Sequence, residues 1–226
     1  MKSKNDVRRG LRIPARDTSV AELFGILTGD GYMNFYPAKK DYIIEIAGDS
    51  RNDKKYFEYI NSLFLNLFNI RPKLYRRKNQ NSAYLRVRSK GIFYFLEQTG
   101  FVRGKKEQIS IPSWISQNNQ HMTSFIRGLA DTDGSVVLKR RYKSEPYYPV
   151  INIVSKSKIL INTVCVWLKQ NEFSAWHGKE TKKDKRTGKV TQNYRLELNG
   201  KKNLVKWLKE IGFSNPHKLK KALSAV

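Results

Sequence analysis

The chain has 226 residues, with 44 lysines and arginines against 19 aspartates and glutamates, a formal net charge of +25 and 39% hydrophobic content. That length and apolar fraction support one large folded unit or two small ones sharing a core. No apolar run reaches the roughly 18 residues needed to cross a bilayer, and Met1-Lys2-Ser3-Lys4-Asn5-Asp6 lacks the apolar core of a secretory signal. These features exclude the membrane and secreted classes and favour an intracellular protein, cytoplasmic or nucleoid-associated. Arg8, Arg9, Arg12 and Arg16 leave open an organelle-targeting segment and a place in an organelle matrix. The lone cysteine, Cys165, lies in an apolar run and is expected to be a buried small hydrophobe in a reducing compartment. So basic a surface calls for a polyanion, and nucleic acid is the default, because each neutralised phosphate releases condensed counterions.

In chain order, the first element is Ser19-Val20-Ala21-Glu22-Leu23-Phe24-Gly25-Ile26-Leu27-Thr28-Gly29-Asp30-Gly31. It is predicted to be a helix, with Ser19 and Glu22 at capping-box spacing and Gly31 ending it in the left-handed conformation. Gly25 and Gly29 share one helix face. Each costs about 1 kcal/mol relative to alanine in a helix interior, a loss that close approach of another backbone offsets. Two strands follow at 32–36 and 42–47, then a helix at 54–68 with apolar residues at helical spacing, and two more strands at 73–77 and 83–88. A short amphipathic helix over 89–101 ends in Gly100-Phe101.

Residues 103–120, containing Ile111-Pro112-Ser113-Trp114, fit neither half and form a linker with a short helix. The plan then repeats. Phe125-Ile126-Arg127-Gly128-Leu129-Ala130-Asp131-Thr132-Asp133-Gly134 is a second helix, with Gly128 and Thr132 on its small face. Strands are expected at 135–142 and 149–154, a helix at 158–169, strands at 174–178 and 194–198, and a closing helix at 201–213. The basic stretch 182–189 between the last two strands is a polar hairpin tip. The closing helices align without gaps over thirteen positions, Lys90 with Lys202, Leu96 with Leu208, Gly100 with Gly212 and Phe101 with Phe213. Each half is therefore α-β-β-α-β-β-α: 1–102, the linker 103–120, and 121–226. The repeat implies a pseudo-two-fold axis.

If the two small-faced helices pack together, Asp30 and Asp133 meet at one end of their interface, beside the partially negative ends of both helices. Two carboxylates converging there suit a hard cation with oxygen ligands, Mg²⁺ above all. A single Asp-Gly at a helix end is an ordinary turn, but here it recurs at the same place in two repeated units.

At these residues the sequence resembles the LAGLIDADG family of homing endonucleases: Leu23-Phe24-Gly25-Ile26-Leu27-Thr28-Gly29-Asp30-Gly31 and Phe125-Ile126-Arg127-Gly128-Leu129-Ala130-Asp131-Thr132-Asp133-Gly134-Ser135 look like its two motifs. Thr28 departs from the acid often found there, whereas Asp131 keeps it. The resemblance implies an α+β fold of two pseudo-symmetric halves forming a DNA-binding saddle, and a metal-dependent endonuclease that cuts double-stranded DNA in intron homing. It implies two or three divalent ions, Mg²⁺ with Mn²⁺ as a substitute, held by Asp30 and Asp133 with the carbonyls of Gly29 and Thr132. A basic residue at the start of the last helix of each half, Lys90 and Lys202, is expected to assist. A polar residue after the second strand, Gly48 or Asp49 and Ser155 or Lys156, is expected to order water, and the bare Gly48 suggests unequal rates for the two strand cuts. Arg76, Arg86, Arg88, Lys139, Arg141 and Arg195, with Tyr36, Tyr75 and Tyr142 interleaved, are the candidate DNA contacts on strands. Two motifs in one chain imply a monomer. The alternatives are an RNA maturase acting on intron RNA and a non-catalytic DNA-binding regulator. The initial Met1 favours a free-standing enzyme over an intein-embedded one.

Overall fold

A computed structural model describes residues 2–78, 80–104, 106–141, 147–183, 187, 188 and 190–226, leaving Tyr142 and positions 184–186 and 189 of the expected hairpin tip outside the described residues. The first half runs α1 (Lys4–Arg8), α2 (Thr18–Asp30), β1 (Gly31–Tyr36), β2 (Asp41–Asp49), α3 (Lys54–Phe68), β3 (Lys73–Arg76), β4 (Ser82–Arg88) and α4 (Lys90–Gln98). A short α5 (Ser113–Ser116) lies in the connection. The second half runs α6 (Asn119–Asp133), β5 (Gly134–Lys139), β6 (Tyr148–Ser155), α7 (Lys158–Gln170), β7 (Ala175–Lys183), β8 (Val190–Asn199), α8 (Lys201–Glu210) and α9 (Pro216–Leu223). The strands form two antiparallel four-stranded sheets, ordered β1-β2-β4-β3 and β5-β6-β8-β7. The expected repeat is therefore present, with α1 and α9 added. Among the described residues, no helix is long and apolar enough to cross a membrane.

The core follows from strand alternation and the apolar stripes of the helices. In the first sheet Met33, Ile44, Ile46, Ala83, Leu85 and Val87 face inward, and α3 and α4 cover them with Phe57, Ile60, Phe64, Phe68, Ile92 and Phe93. The second sheet buries Val136, Ile151, Ile153, Leu196 and Leu198 under α7 and α8. Cys165 is buried on α7, and burial pushes its thiol up, as expected of an unreactive core residue. Gly100 and Gly212 both adopt positive φ (+103° and +71°), so the repeated Gly-Phe closes α4 and α8 with a conformation that glycine tolerates.

The central joint is α2 against α6, running side by side in the same direction. A Cβ on Gly25 would sit 2.0 Å from the Phe125 carbonyl oxygen, and one on Gly128 would sit 2.3 Å from the Glu22 carbonyl oxygen. The backbones touch directly, as the small faces implied. Two local expectations fail. Asp17, not Ser19, caps α2 by accepting the Val20 N–H at 2.8 Å, which releases Glu22 for the interface. Gly31 is extended, at φ −79°, rather than left-handed. Its missing side chain instead makes room for the Leu27 carbonyl, 2.3 Å from where a Cβ would lie.

Helix α1 is seated by a buried carboxylate. Asp6 accepts from the Ser3 N–H (2.9 Å), the Ser3 hydroxyl (2.8 Å) and the Gly91 N–H at the start of α4 (3.0 Å), and Arg9 pairs with it at 3.0 Å. Burial alone would raise its pKa, but the hydrogen bonds from Ser3, Ser89 and Gly91 outweigh burial and hold it at about 2, against an ordinary 3.8.

Two outcomes are expected. Gly25→Ala and Gly128→Ala each force a methyl into a backbone and lose at least about 2 kcal/mol, an overpacking cost. Thermal unfolding should show this, and an unchanged Tm would mean the helices have slack. Asp6 has a folded pKa below its unfolded value, so its contribution, roughly 2 kcal/mol, is present above about pH 4 and is lost as pH falls toward 2. Urea midpoints of wild type and Asp6→Asn should therefore converge near pH 2 and separate above pH 4; a constant gap refutes the linkage.

Candidate active site and nucleic-acid face

Because α2 and α6 run in parallel and touch, their last residues lie together. A Cβ on Gly29 would be 1.9 Å from Thr132 Oγ1 and 3.4 Å from the Asp133 carboxyl carbon. Asp30 and Asp133 thus end adjacent helices at the seam between the sheets, where both C-terminal dipoles are negative. The donors gathered here are carboxylates and helix-end carbonyls, all oxygen, the chemistry of a hard divalent cation. Among the described residues no three His, Cys, Asp or Glu side chains form a cage. A pair of carboxylates at an open cleft is a set that Mg²⁺ uses while keeping much of its water.

The two sides of this site are furnished differently. Gly31 pairs with Ile46, and Gly134 with Ile153, so Gly48 corresponds to Ser155 and Asp49 to Lys156. Ser155 and Lys156 line a cleft of 310 Å³ together with Gly29, Asp133, Asn193 and Glu107. In the first half Gly48 abuts Phe57 and Asp53, and Asp49 accepts the N–H groups of Arg51 and Asn52, both at 2.8 Å. Those two amides hold the Asp49 carboxyl below the usual range. One half therefore offers a lysine at the position where the other offers an acid.

A cation outside both motifs serves the acid-rich side. Lys218, on α9, donates to the carbonyls of Ala130 (3.0 Å) and Thr132 (2.9 Å) at the end of α6. Burial pushes its pKa down, against the pull of Asp131, Asp30, Asp53 and Asp133. The Thr132 carbonyl, expected as a ligand, thus has one lone pair engaged already. Asp131 explains how Lys218 is placed. It is buried, and it accepts the N–H groups of Ser214 (2.9 Å) and Asn215 (3.1 Å) just before α9. Burial raises its pKa despite those bonds. Asn215 also donates to Asp53 at 3.0 Å, and Ser214 to Glu22 at 2.7 Å. Glu22 in turn accepts from Tyr59 (2.6 Å) and pairs with Arg127 (3.0 Å), tying α2, α3, α6 and the α9 approach into one polar cluster. The repeat itself held the signal for Lys218: six residues beyond Gly212 it answers to Lys106, six beyond Gly100, whose side chain lies outside those described.

Lys90 and Lys202 are not at this site. The Lys90 ammonium lies 5.9 Å from the Tyr42 ring and 5.8 Å from the Tyr94 ring. Tyr42 pairs with Phe35, four residues along β2 from Ile46, so Lys90 sits roughly 13 Å along the sheet from the acids. Lys202 is exposed at the matching far end of the second sheet, beyond Asn199, which pairs with Val150. The physical reason is direction: β1 leaves the seam, β2 returns to it and β4 leaves again, so the helix after β4 begins far away and only its end comes back.

The open faces of the sheets carry most of the expected cations. Arg86 lies between the Tyr75 and Tyr84 rings, 5.2 and 5.0 Å from their centroids, and pairs with Glu45. Arg88 pairs with Asp41 at 3.0 Å, Lys139 with Glu197 at 3.0 Å, and Arg195 with Glu180 at 2.6 Å. Arg141 stacks on Tyr148 at 4.1 Å, and Tyr36 is exposed on the first face. Arg76 is the exception. It pairs with the inward-facing Ala83, so it emerges on the helix side of the edge strand β3.

Comparison with known proteins agrees with this architecture. Residues 120–212 match a LAGLIDADG-like domain. An uncharacterized protein of Methanocaldococcus jannaschii is 30% identical over 67% of this chain and 54% of its own length. A tRNA-splicing ligase RtcB of Methanopyrus kandleri is 25% identical over 92% of this chain but only 22% of its own. The chain thus spans about half, or much less, of the curated relatives it matches. The solved structure of I-DmoI in complex with DNA and Ca superposes with a TM-score of 0.58 at 22% identity, covering 92% of this chain and 96% of that one. Residues 120–212 therefore carry a LAGLIDADG-like domain, and the chain as a whole, with its two motif helices joined through their small faces, shares the two-sheet fold of homing endonucleases.

Proposed function

We propose that the protein is a site-specific DNA endonuclease that uses divalent ions held by Asp30 and Asp133, with intron homing as its role. The observation that carries this reading is the meeting of two acids at the joined ends of α2 and α6, between two sheets whose open faces present arginine, lysine and tyrosine. I-DmoI was solved with DNA and Mn and with DNA and Ca, which supports duplex DNA as substrate and divalent ions as cofactor here. Matches lying inside longer chains with unrelated names support a module that moves between hosts.

A bound divalent ion supplies positive charge at the scissile phosphate and acidifies the attacking water. Gly29 and Thr132 contribute backbone carbonyls beside the acids. Lys156, in the cleft beside Asp133, and Lys218, which α9 of the same half carries toward the Asp49–Asp53 side, stand where they balance charge developing on the phosphate. The open sheet faces hold the duplex so that one strand meets each acid. One folded chain supplies both halves, so the working unit is a monomer.

The decisive assay digests intron-free genomic DNA with Mg²⁺ or Mn²⁺, or with chelator, and sequences the new ends. One staggered break is expected, reduced at least about 100-fold in Asp30→Asn and Asp133→Asn. Tight binding at one site with no cut under either metal would overturn the nuclease reading in favour of a maturase or a regulator. Strand-resolved rates give a second check. Lys156→Met should slow mainly one strand and Lys218→Met mainly the other, while equal slowing of both strands by both variants would break the assignment of one lysine to each strand cut.

A further inference from the structure

We infer that α1 and the clefts beside it form a phosphate-binding extension of the DNA groove at the outer end of the first sheet, engaging duplex backbone beyond the base pairs that the strands cover. This rests on duplex DNA being the partner. Helix α1 and the segment after it carry Arg8, Arg9 and Arg12, three of the four arginines that composition left open to a targeting role, with Lys2 and Lys4 beside them. Like charges this dense would keep a loose arm extended, yet the segment is folded down. Asp6 anchors it to the start of α4, Leu11 is buried over Gly91, and the Arg12 N–H bonds to the Phe68 carbonyl at 3.0 Å.

Its position makes it part of the DNA face. Arg9 donates to the Arg88 carbonyl at 2.7 Å, at the end of β4. A cleft of 180 Å³ is walled by Asn5 and Arg9 from the α1 side and by Arg71, Lys73, Arg86 and Arg88 from the sheet side. A second cleft, of 450 Å³, joins Ser3 and Asn5 to Lys40, Arg88 and Lys90, with Asp41, the partner of Arg88, also in its wall. The basic side chains of the open face, Lys73, Arg86 and Arg88, therefore continue into α1 through Arg9, with Glu45, Asp41 and Asp6 pairing three of them. Lys90 acquires a place here, at the rim rather than at the acids. The additional helix of the second half, α9, turns instead toward the seam with Lys218, so the extension exists on one side only.

The test is the salt dependence of binding to a mixed-sequence 30-base-pair duplex in chelator, followed by fluorescence anisotropy. Lys4→Gln/Arg8→Gln removes two exposed charges from α1, and Lys169→Gln/Lys209→Gln removes two from the helix layer on the far side. The α1 pair should flatten the slope of log Kobs against log salt by about 1.8, near 0.9 for each phosphate left unneutralised, and the control pair by less than about 0.5. An unchanged slope for the α1 pair, or an equal flattening in the control, overturns the inference. If the α1 pair lowers the Tm, Lys4→Gln alone carries the test, with an expected change of about 0.9. Salt-independent binding by the wild-type protein would instead remove the duplex-DNA reading itself.

Discussion

Everything in this molecule hangs on two helices whose backbones touch. Without side chains at Gly25 and Gly128 the axes of α2 and α6 close to direct van der Waals distance, and three consequences follow from that one approach. The last turns coincide, so two carboxylates and two negative helix ends share a small volume. The sheets that begin immediately after each helix are held at a fixed angle to the seam. The hydrophobic layers under both sheets become one continuous core. Glycine disfavours a helix, and the energy recovered here is packing over the whole interface rather than any single bond.

The halves share a plan but not a chemistry. At matching register, one contributes Ser155 and Lys156 and the other Gly48 and Asp49, and the acid-rich side recruits Lys218 from α9. That recruitment depends on Asp131, which occupies the motif position where the first helix has Thr28. Asp131 is turned away from the seam to grip the backbone leading into α9, so the same motif letter serves anchorage in one half and is dispensable in the other. Burial of Asp131 and Lys218 in one cluster is costly, and the cluster holds because the carboxylate and the ammonium each find two backbone partners.

Much of this is legible in residue order. The two small-faced helices, the strand pairs, the linker helix and the meeting of Asp30 with Asp133 all follow from periodicity and repetition. The misses have physical causes. Strands β7 and β8 are longer than their pattern predicts, because that hairpin extends past the core and its outer residues alternate with nothing apolar to bury. Lys90 and Lys202 match each other in the repeat but stand at the other end of the sheets from the acids, since alignment carries no information about which way a strand runs from the seam. Helices α1 and α9 are short and tied down by bonds to carboxylates, Asp6 for α1 and Asp131, Glu22 and Asp53 for the approach to α9, which no hydrophobic pattern reveals. Arg76 reads as a groove residue by its charge, although strand parity sets it on the other side, as the register with Ala83 shows.

The Glu22–Arg127 pair gives the joint a polarity that its glycines lack. The small faces are self-complementary, and by themselves they would let either half assemble with a copy of itself. Glu22 lies on the first helix and Arg127 on the second, and Ser214 and Tyr59 reinforce the acid from two further directions. By the helix register, two first halves would set the buried Glu22 against Phe24 with no guanidinium, and two second halves would set Arg127 against Phe125 with no carboxylate. The seam therefore discriminates mixed from matched assembly, and a chimera grafting either half onto a foreign partner has to transplant that ion pair along with the glycines.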